Sequence, residues 1–207
     1  MLQFFYDPVV RYFYIEGISL MNKTIRGQAD VIVQRATEKD AELIADLSRQ
    51  TFYESFAADN TKENMDKFMN DQFTKEKLID EVGQPWHLFF LAYVKNEPVG
   101  YVKLRDGSVP LQLDARSCLE IARIYSVEHM IGKGVGRKLM QTCHDVARQK
   151  GKKILWLGVW KQNQRAIDFY SAWGFEIFGE QEFVLGDDVQ TDWLMKKEIS
   201  LISPVKD

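Results

Sequence analysis

The sequence predicts a mixed α/β domain, in which a mostly antiparallel, twisted sheet contains one parallel strand pair and is flanked by helices on both faces. Strand patterns joined by turn residues come first, and such patterns favour antiparallel pairing. Residues 117–160 then pass through strand, glycine-rich loop, amphipathic helix and apolar strand, which is typical of a parallel βαβ crossover. A final hairpin is predicted within 175–198.

Length and composition narrow the class of protein. The 207 residues are 45% hydrophobic and 28% charged, which suits one globular domain. A net charge of −3 gives no electrostatic footprint for nucleic acid, and no apolar run reaches the roughly eighteen residues that cross a bilayer. Two cysteines are too few for a disulfide framework, which favours a reducing cytoplasm. A small-molecule partner is therefore expected.

Residues 1–30 differ from the remainder of the chain. They begin with an aromatic-rich stretch that has no clear period and continue into a polar stretch. We treat 1–30 as an extension of unknown role and 31–207 as one domain. Three interpretations of the extension are open: an extra strand pair, a dimer contact, and translation from upstream of a genuine start at Met21.

Capping residues and periodicity define the elements before the glycine-rich loop. Thr37 followed by Asp40 is a capping-box pattern, and apolar residues then recur at helical spacing as far as Phe56. Residues 95–97, between two apolar runs, are a hairpin signal. The predicted order is a strand at 31–36, helices at 37–56, 61–70 and 75–81, and strands at 86–94, 98–105 and 117–127.

The elements after the loop complete the crossover and the final hairpin. A continuous apolar run at 154–160 is typical of a strand buried on both faces. Asn163 is a good N-cap for the next helix, and Gly174 is a left-handed stop. The predicted order is a helix at 137–150, a strand at 154–160, a helix between Asn163 and Gly174, and strands at 175–183 and 192–198 around a turn at 185–188.

The glycine-rich loop is the most informative motif. Gly132, Gly134 and Gly136 stand directly before the amphipathic helix, where glycines permit positive φ and close approach of a ligand. The unpaired N–H groups and positive dipole end of that helix would face the ligand. Arg137 and Lys138 add positive charge where an isolated helix prefers acidic residues. The loop therefore predicts an anion site, and a simple strand-to-helix connection is the alternative.

Two common phosphate loops do not fit this spacing. A Walker loop would need glycine at the fifth position after Gly132, where Arg137 stands. A dinucleotide loop would need a third glycine at Arg137 or Leu139, depending on which glycine comes first. An anionic ligand other than ATP or NAD is implied.

The loop and the region after it resemble a known family. The strand, glycine loop and helix, followed by the buried strand and by Asn163-x-x-Ala166-x-x-Phe169-Tyr170, resemble the GCN5-related N-acetyltransferases (GNAT). The resemblance covers roughly residues 32–199. It implies the GNAT fold and acetyl-coenzyme A as the cofactor, and it leaves a homodimer as an open expectation.

The glycine loop departs from the family pattern at one position. The family loop reads Gln/Arg-x-x-Gly-x-Gly/Ala, which maps its glycines onto Gly134 and Gly136 and its first position onto Ile131. The backbone donors that cradle a pyrophosphate do not depend on that first side chain. Cofactor binding is therefore expected despite the departure.

Within this family the sequence is similar to the bacterial polyamine acetyltransferases of the PaiA type. The resemblance lies in residues 119–125, 156–160 and 185–192. Ala122 and Ser126 depart from it, since Glu and Val would be expected there. The resemblance implies a polyamine acceptor such as spermidine or spermine.

Acetyl transfer to an amine requires a neutral amine, an oxyanion donor and a proton for the departing thiolate. An amine of pKa about 10.4 costs roughly 5 kcal/mol to deprotonate at neutral pH, so a base helps. Glu120, on the strand entering the site, is the candidate base, acting directly or through a water, and an exposed strand carboxylate is the alternative. By resemblance, Tyr170 is the general acid, and packing in the core is its alternative role.

The loop and the resemblance together define a candidate cofactor set. Asn163 caps its helix and by resemblance hydrogen-bonds the pantetheine arm. Backbone N–H groups around Ser126 and Val127, where the central strands would splay, are natural donors to pantetheine and the oxyanion. The full set is Tyr125, Ser126, Val127, Ile131, Gly132, Lys133, Gly134, Val135, Gly136, Arg137, Lys138, Asn163, Ala166 and Phe169.

Acidic residues are the candidate ligands of a cationic acceptor. They are Glu54, Asp187, Asp188 and Asp192. Direct transfer in a ternary complex is expected, because Cys118 and Cys143 fit packed positions better than an acyl-cysteine route. The histidines lack metal-ligand spacing, so no metal is predicted. Acetylation of a protein N-terminus or lysine, and a non-catalytic acyl-coenzyme A sensor, are the open alternatives.

Overall fold

The computed structural model describes residues 29–107, 109–110 and 112–200 of the chain. Its strands are β1 (Ile32–Arg35), β2 (His87–Val94), β3 (Glu97–Asp106), β4 (Cys118–Ser126), β5 (Ile154–Trp160), β6 (Glu176–Leu185) and β7 (Asp188–Glu198). Its α-helices are α1 (Ala41–Phe56), α2 (Lys62–Asp71), α3 (Lys75–Val82), α4 (Val135–Gln149) and α5 (Gln164–Ala172), with short 3-10 turns at Glu38–Asp40 and Glu128–Met130. The extension predicted at 1–30 lies outside the described residues except for Ala29 and Asp30.

The strands form one sheet in the order β1-β2-β3-β4-β5-β7-β6. Neighbouring strands run antiparallel except β4 and β5, which are parallel. The central α4 connects these two strands, and helices pack on both faces of the sheet. The predicted fold is therefore confirmed.

The parallel pair separates soon after it forms. β4 and β5 pair only between Cys118–Glu120 and Ile154–Trp156. Beyond Glu120, β4 remains paired with β3 as far as Ser126, and β5 remains paired with β7. The unpaired ends leave an opening in the middle of the sheet, directly before the glycine-rich loop.

Local residue chemistry explains the main boundaries. Thr61 and Thr74 cap α2 and α3 by accepting hydrogen bonds from backbone N–H groups at distances of 3.2 and 3.3 Å. Lys95 and Asn96 both have positive φ, at 51° and 67°, as the tight turn between β2 and β3 requires. α4 begins two residues before the predicted position, because Gly134 at φ 93° already ends the loop.

The last hairpin differs from its prediction. β7 begins at Asp188 instead of residue 192, because Leu185 pairs directly with Asp188 and the turn contains only two residues. Gly186 at the turn has φ 65°, and a Cβ there would lie 2.6 Å from Cα of Asn64. The glycine therefore lets the hairpin tip approach the α2 backbone closely.

Two apolar clusters hold the helices on the sheet. The larger cluster contains Leu139 and Cys143 of α4 together with Tyr170 of α5. The smaller cluster joins α1, α2, α3 and the β6–β7 tip, and it includes Phe52 and Leu185. The smaller cluster fixes the first three helices over one end of the central opening.

Candidate active site

A cleft of about 840 Å³ passes through the opening between β4 and β5. One half, which we call the loop half, is lined by the glycine loop and by residues of α4 and α5, including Gly134, Arg137 and Asn163. The other half, which we call the aromatic half, is lined by Phe52, Phe56, Phe68, Phe73 and Phe183. Both halves belong to one continuous space.

The structure places most predicted site residues on this cleft. Those in its lining are Glu120, Tyr125, Ser126, Ile131, Gly132, Gly134, Gly136, Arg137, Asn163, Ala166, Phe169, Tyr170 and Asp192. Those outside the lining are Glu54, Val127, Lys133, Val135, Lys138, Asp187 and Asp188.

The glycine loop has the backbone that an anion cradle needs. Gly132 and Gly134 have φ values of 79° and 93°, in the left-handed region. Gly134 is the N-cap of α4, so the first N–H groups of this helix lack carbonyl partners within it. Gly136, in the first turn of α4, packs beside the Phe169 ring, where a Cβ would be in ordinary contact at 3.6 Å. These donors fit a pyrophosphate.

The predicted cations contribute unequally to the loop half. Arg137 lines the cleft, whereas Lys133 and Lys138 are exposed and lie outside its lining. Arg165, at the start of α5, also lines the cleft. Sequence reasoning missed Arg165, although its position two residues after the Asn163 cap signals a helix N-terminus. Val135 is buried in the core instead of facing the cleft.

The backbone donors of β4 differ from the prediction at one residue. The N–H of Val127 donates to the carbonyl of Val99 at 3.0 Å, so it is not free to bind a ligand. N–H groups of alternate residues point to the same side of a strand, so those of Ile124 and Ser126 point away from β3. They face the opening, where β4 has no further partner. Ile124 therefore replaces Val127 as a candidate donor.

Helix α5 places two predicted residues on the cleft. The side chain of Asn163 accepts a hydrogen bond from the N–H of Ala166 at 3.1 Å and caps the helix. Tyr170 is buried, and this burial raises the pKa of its hydroxyl, with a further increase from Cys143. Burial also raises the pKa of the Cys143 thiol. Tyr170 therefore keeps its proton at neutral pH and can donate it.

Two of the carboxylates predicted for the site, Glu120 and Asp192, line the cleft. Glu120 is buried, and its two oxygens accept hydrogen bonds from Arg105 at 2.5 and 2.8 Å. Asp192 lies on β7, where burial raises its pKa and a hydrogen bond from Gln181 partly opposes that rise. A Cβ on Gly158 would lie 3.3 Å from the Asp192 carboxylate, so glycine gives this side chain room. Arg105 therefore fixes Glu120 in position, and burial makes Asp192 more basic than an ordinary aspartate.

The other three predicted acidic residues have local partners. Glu54 accepts a hydrogen bond from the backbone N–H of Glu128 at 2.9 Å. Asp187 forms an exposed ion pair with Lys67, and Asp188 accepts a hydrogen bond from Gln190 at 2.9 Å. Glu54, Asp187 and Asp188 do not line the cleft, so this geometry gives no support to their predicted role as ligands of the acceptor.

A buried charge cluster lines the aromatic half and was not predicted. Glu81 of α3 binds Arg123 of β4 through two hydrogen bonds of 2.6 and 3.1 Å, and it also pairs with Lys103 of β3 at 3.0 Å. The Lys103 side chain is only 3% exposed. Lys103, a charged residue inside the apolar run of β3, was the only sign of this cluster in the sequence that we recognise. Its partners, Glu81 and Arg123, come from distant segments of the chain.

The buried charges shift one another's protonation. Burial lowers the pKa of Lys103 to about 8, and the charge of Arg123 contributes to this decrease. Burial acts to raise the pKa of Glu81, but the hydrogen bond and charge of Arg123, together with Lys103, outweigh it and lower that pKa. Glu81 is therefore held as a carboxylate between two cations.

Among residues 29–107, 109–110 and 112–200, no helix combines the length and the apolar character that spanning a membrane requires. The same residues contain no group of three or more His, Cys, Asp or Glu side chains arranged to hold a metal ion.

The splayed parallel strand pair, the glycine-rich loop at its open end and Tyr170 on the same cleft match what the resemblance to the GCN5-related N-acetyltransferases implies. Comparison with known families agrees with this geometry. The model of the acetyltransferase (GNAT) family matches residues 49–175, and the chain belongs to this family. The predicted family, the acetyltransferase activity and the acetyl-coenzyme A cofactor are confirmed.

Individual relatives support the same assignment. An uncharacterized N-acetyltransferase in the pepI 3′ region of Lactobacillus delbrueckii subsp. lactis is 38% identical over 82% of this chain and 98% of its own length. A spermidine N(1)-acetyltransferase of Thermoplasma acidophilum is 21% identical over 80% of this chain and 96% of its own length. The crystal structure of PaiA N-acetyltransferase from Thermoplasma acidophilum in complex with coenzyme A superposes with a TM-score of 0.65, at 20% identity, over 82% of this chain and 99% of that one. At this identity the superposition supports the fold.

Proposed function

We propose that this N-acetyltransferase transfers the acetyl group of acetyl-coenzyme A directly to the primary amine of a small molecule bound in the aromatic half of the cleft. The observation that carries this proposal is the continuity of the two halves past Tyr170 and Glu120. An amine in the aromatic half and a thioester in the loop half would share one space. Transfer then needs no covalent intermediate on the protein.

The loop half has groups for each part of the cofactor. The N–H groups that begin α4 bind the pyrophosphate, and Arg137 and Arg165 lie on the cleft to meet phosphate charge. The N–H groups of Ile124 and Ser126 bind the pantetheine arm and the developing oxyanion. Acetyl-coenzyme A supplies the activated acetyl group.

Two side chains handle the protons of the reaction. Glu120, held by Arg105, accepts the proton of the amine through a water. Tyr170 keeps its proton at neutral pH and donates it to the departing thiolate. Asp192 faces the same space and attracts the ammonium form of the acceptor.

A polyamine is the acceptor that the sequence favours. The similarity to the spermidine N(1)-acetyltransferase and the position of Asp192 on the cleft support it. The other three acidic residues predicted for this role have partners elsewhere and give it no support. A cytoplasmic location and a homodimer stay predictions; the two cysteines, free and buried, suit a reducing compartment.

Thiol release from acetyl-coenzyme A tests this proposal. The purified protein is assayed with polyamines, diamines, amino acids, aminoglycosides and short peptides, while calorimetry measures acetyl-coenzyme A binding. Acetylation of at least one small amine is expected. Tight acetyl-coenzyme A binding with turnover of peptides alone would overturn the small-molecule acceptor, and binding without any turnover would favour the sensor alternative.

A further inference from the structure

The aromatic half carries more positive charge than its carboxylates balance, and the Lys103 side chain, which is 3% exposed, is the most buried of its cations. Lys103 and Arg105 stand two residues apart on β3 and therefore share one face of the sheet, and Arg123 is the direct cross-strand partner of Lys103. The carboxylates beside them are Glu81 and Glu120. Three cations against two carboxylates leave one net positive charge among these five side chains, all of which line the cleft.

A bulge in β4 brings these charges together. Lys103 pairs with Arg123 and Leu104 pairs with Ile121, so Ala122 is the extra residue of β4. Arg123 lies over the Phe73 ring, with its guanidinium carbon 4.7 Å from the ring centre, and is thereby fixed at the wall of the aromatic half. Packing against Phe73 and pairing with Glu81 hold the cation in place before any ligand arrives.

No neighbouring group among the described residues supplies the missing negative charge. His87 lies beside Lys103, and its pKa is lowered mainly by burial, so it is neutral at neutral pH. Tyr101 and Tyr125 are also neutral, because burial raises the pKa values of their hydroxyls. Asp192 is on β7, which β5 separates from β4. An excess buried cation is costly unless a ligand anion balances it.

We infer that the acceptor carries a carboxylate in addition to its primary amine, and that Lys103, with Arg123, binds that carboxylate in the aromatic half of the cleft. This inference rests on the proposed transfer of acetyl to a small primary amine, and it replaces the polyamine that the sequence favours with an amino-acid-like amine. A carboxylate matches the single excess charge, whereas a phosphate would bring nearly two negative charges. Asp192 then faces the ammonium group and Lys103 the carboxylate of one dipolar molecule.

Matched acceptor pairs test the inference. Each amino acid is compared with its decarboxylated amine: ornithine with putrescine, lysine with cadaverine, and phenylalanine with phenethylamine. For each pair, kcat/KM of the amino acid is divided by kcat/KM of its decarboxylated amine. This ratio is expected to be about ten or more in at least one pair, because a hydrogen bond to a charged group contributes a free energy of that size. A decarboxylated amine that is acetylated as fast as its amino acid in every pair would overturn the inference and leave the proposed function standing.

Variants connect the preference to Lys103. Lys103→Met is expected to reduce the amino acid-to-amine ratio of kcat/KM to about one, mainly by raising KM for the amino acid. Lys103→Arg should restore much of the preference for the amino acid. Lys153→Met is the matched control, because Lys153 is exposed and outside the cleft lining. An unchanged ratio in a folded Lys103→Met protein would overturn the role of Lys103. Acetyl-coenzyme A affinity, measured by calorimetry on each variant, should not change.

Two further arms distinguish the remaining outcomes. Phosphoethanolamine is compared with ethanolamine, and faster turnover of phosphoethanolamine than of every amino acid would overturn the carboxylate assignment.

If no amine is acetylated, the proposed function fails, and the same pairs of amino acid and amine are titrated into the coenzyme A-loaded protein. The inference then stands only if an amino acid binds at least tenfold more tightly than its amine.

Discussion

The loop half and the aromatic half of the cleft are built in different ways. The loop half takes its binding groups from consecutive backbone positions in which Gly132 and Gly134 have positive φ. The aromatic half takes side chains from α1, α2, α3, β3, β4 and β6, and its charges are paired across long sequence separations. Backbone N–H groups can bind a ligand regardless of which side chains surround them. A pocket lined by side chains, by contrast, changes its shape and charge with every substitution. We therefore propose that the loop half binds the shared cofactor and that the aromatic half binds the particular acceptor.

Gly134→Glu should have the largest effect of any single change on the loop half. Its φ of 93° strains any side chain, and the carboxylate would stand at the N-terminus of α4, where we propose that the pyrophosphate binds. We expect acetyl-coenzyme A affinity to fall by about a hundredfold or more in calorimetry. Gly107→Glu is a matched control, since Gly107 has φ 94° with open space around it. Retained affinity in a folded Gly134→Glu protein would refute the anion cradle.

Tyr170→Phe tests the point where the two halves meet. Removing the hydroxyl should lower kcat by about a hundredfold, as general acid catalysis predicts, without changing acetyl-coenzyme A affinity. Steady-state kinetics and calorimetry measure the two quantities. Tyr93→Phe, at a residue outside the cleft lining, should leave both unchanged. If turnover of Tyr170→Phe equalled wild type at every pH, another group would be the proton donor.

Glu81→Gln addresses the stability of the aromatic half. The change leaves Lys103 and Arg123 close together without their shared carboxylate. Breaking such a buried pair should reduce the free energy of unfolding by about 2 kcal/mol, a value lowered for the partial exposure of Glu81. Urea denaturation measures it. Glu76→Gln on the exposed face of α3 is the control. An equal urea midpoint for the two variants would contradict the predicted contribution of the Glu81 cluster to the free energy of unfolding.

Lys103→Met should have the smallest effect on stability, and in the opposite direction. Without Lys103, Glu81 and Arg123 form a neutral pair, so the free energy of unfolding at pH 7 should be unchanged or increase by about 1 kcal/mol. The pKa of Lys103 is about 8 in the folded protein against 10.5 as its ordinary value. The unfolded state therefore binds more protons between these values, so wild-type stability rises with pH relative to the variant. A stability advantage of Lys103→Met over wild type that grows as the pH rises above 8 would contradict this prediction.

The same contrast explains what could be predicted from the sequence. The loop was predictable because glycine spacing restricts the backbone locally, and Asn163 was predictable as a cap because it acts on its own helix. The cluster of Glu81, Lys103 and Arg123 was not, because its partners are up to 42 residues apart and meet only through sheet pairing. The prediction that the Val127 N–H is free to bind a ligand was wrong, because this N–H donates to Val99 of the neighbouring strand. Which N–H groups of a strand face its neighbour depends on the register of the pairing.

Calorimetry of acetyl-coenzyme A with wild type, Gly134→Glu and Lys103→Met tests most directly whether the two halves bind different molecules. Gly134→Glu is expected to lower acetyl-coenzyme A affinity by about a hundredfold or more. Lys103→Met is expected to bind acetyl-coenzyme A as wild type does and to lose affinity for the acceptor alone. Loss of acetyl-coenzyme A affinity in folded Lys103→Met, to the extent seen in Gly134→Glu, would contradict this division of the cleft.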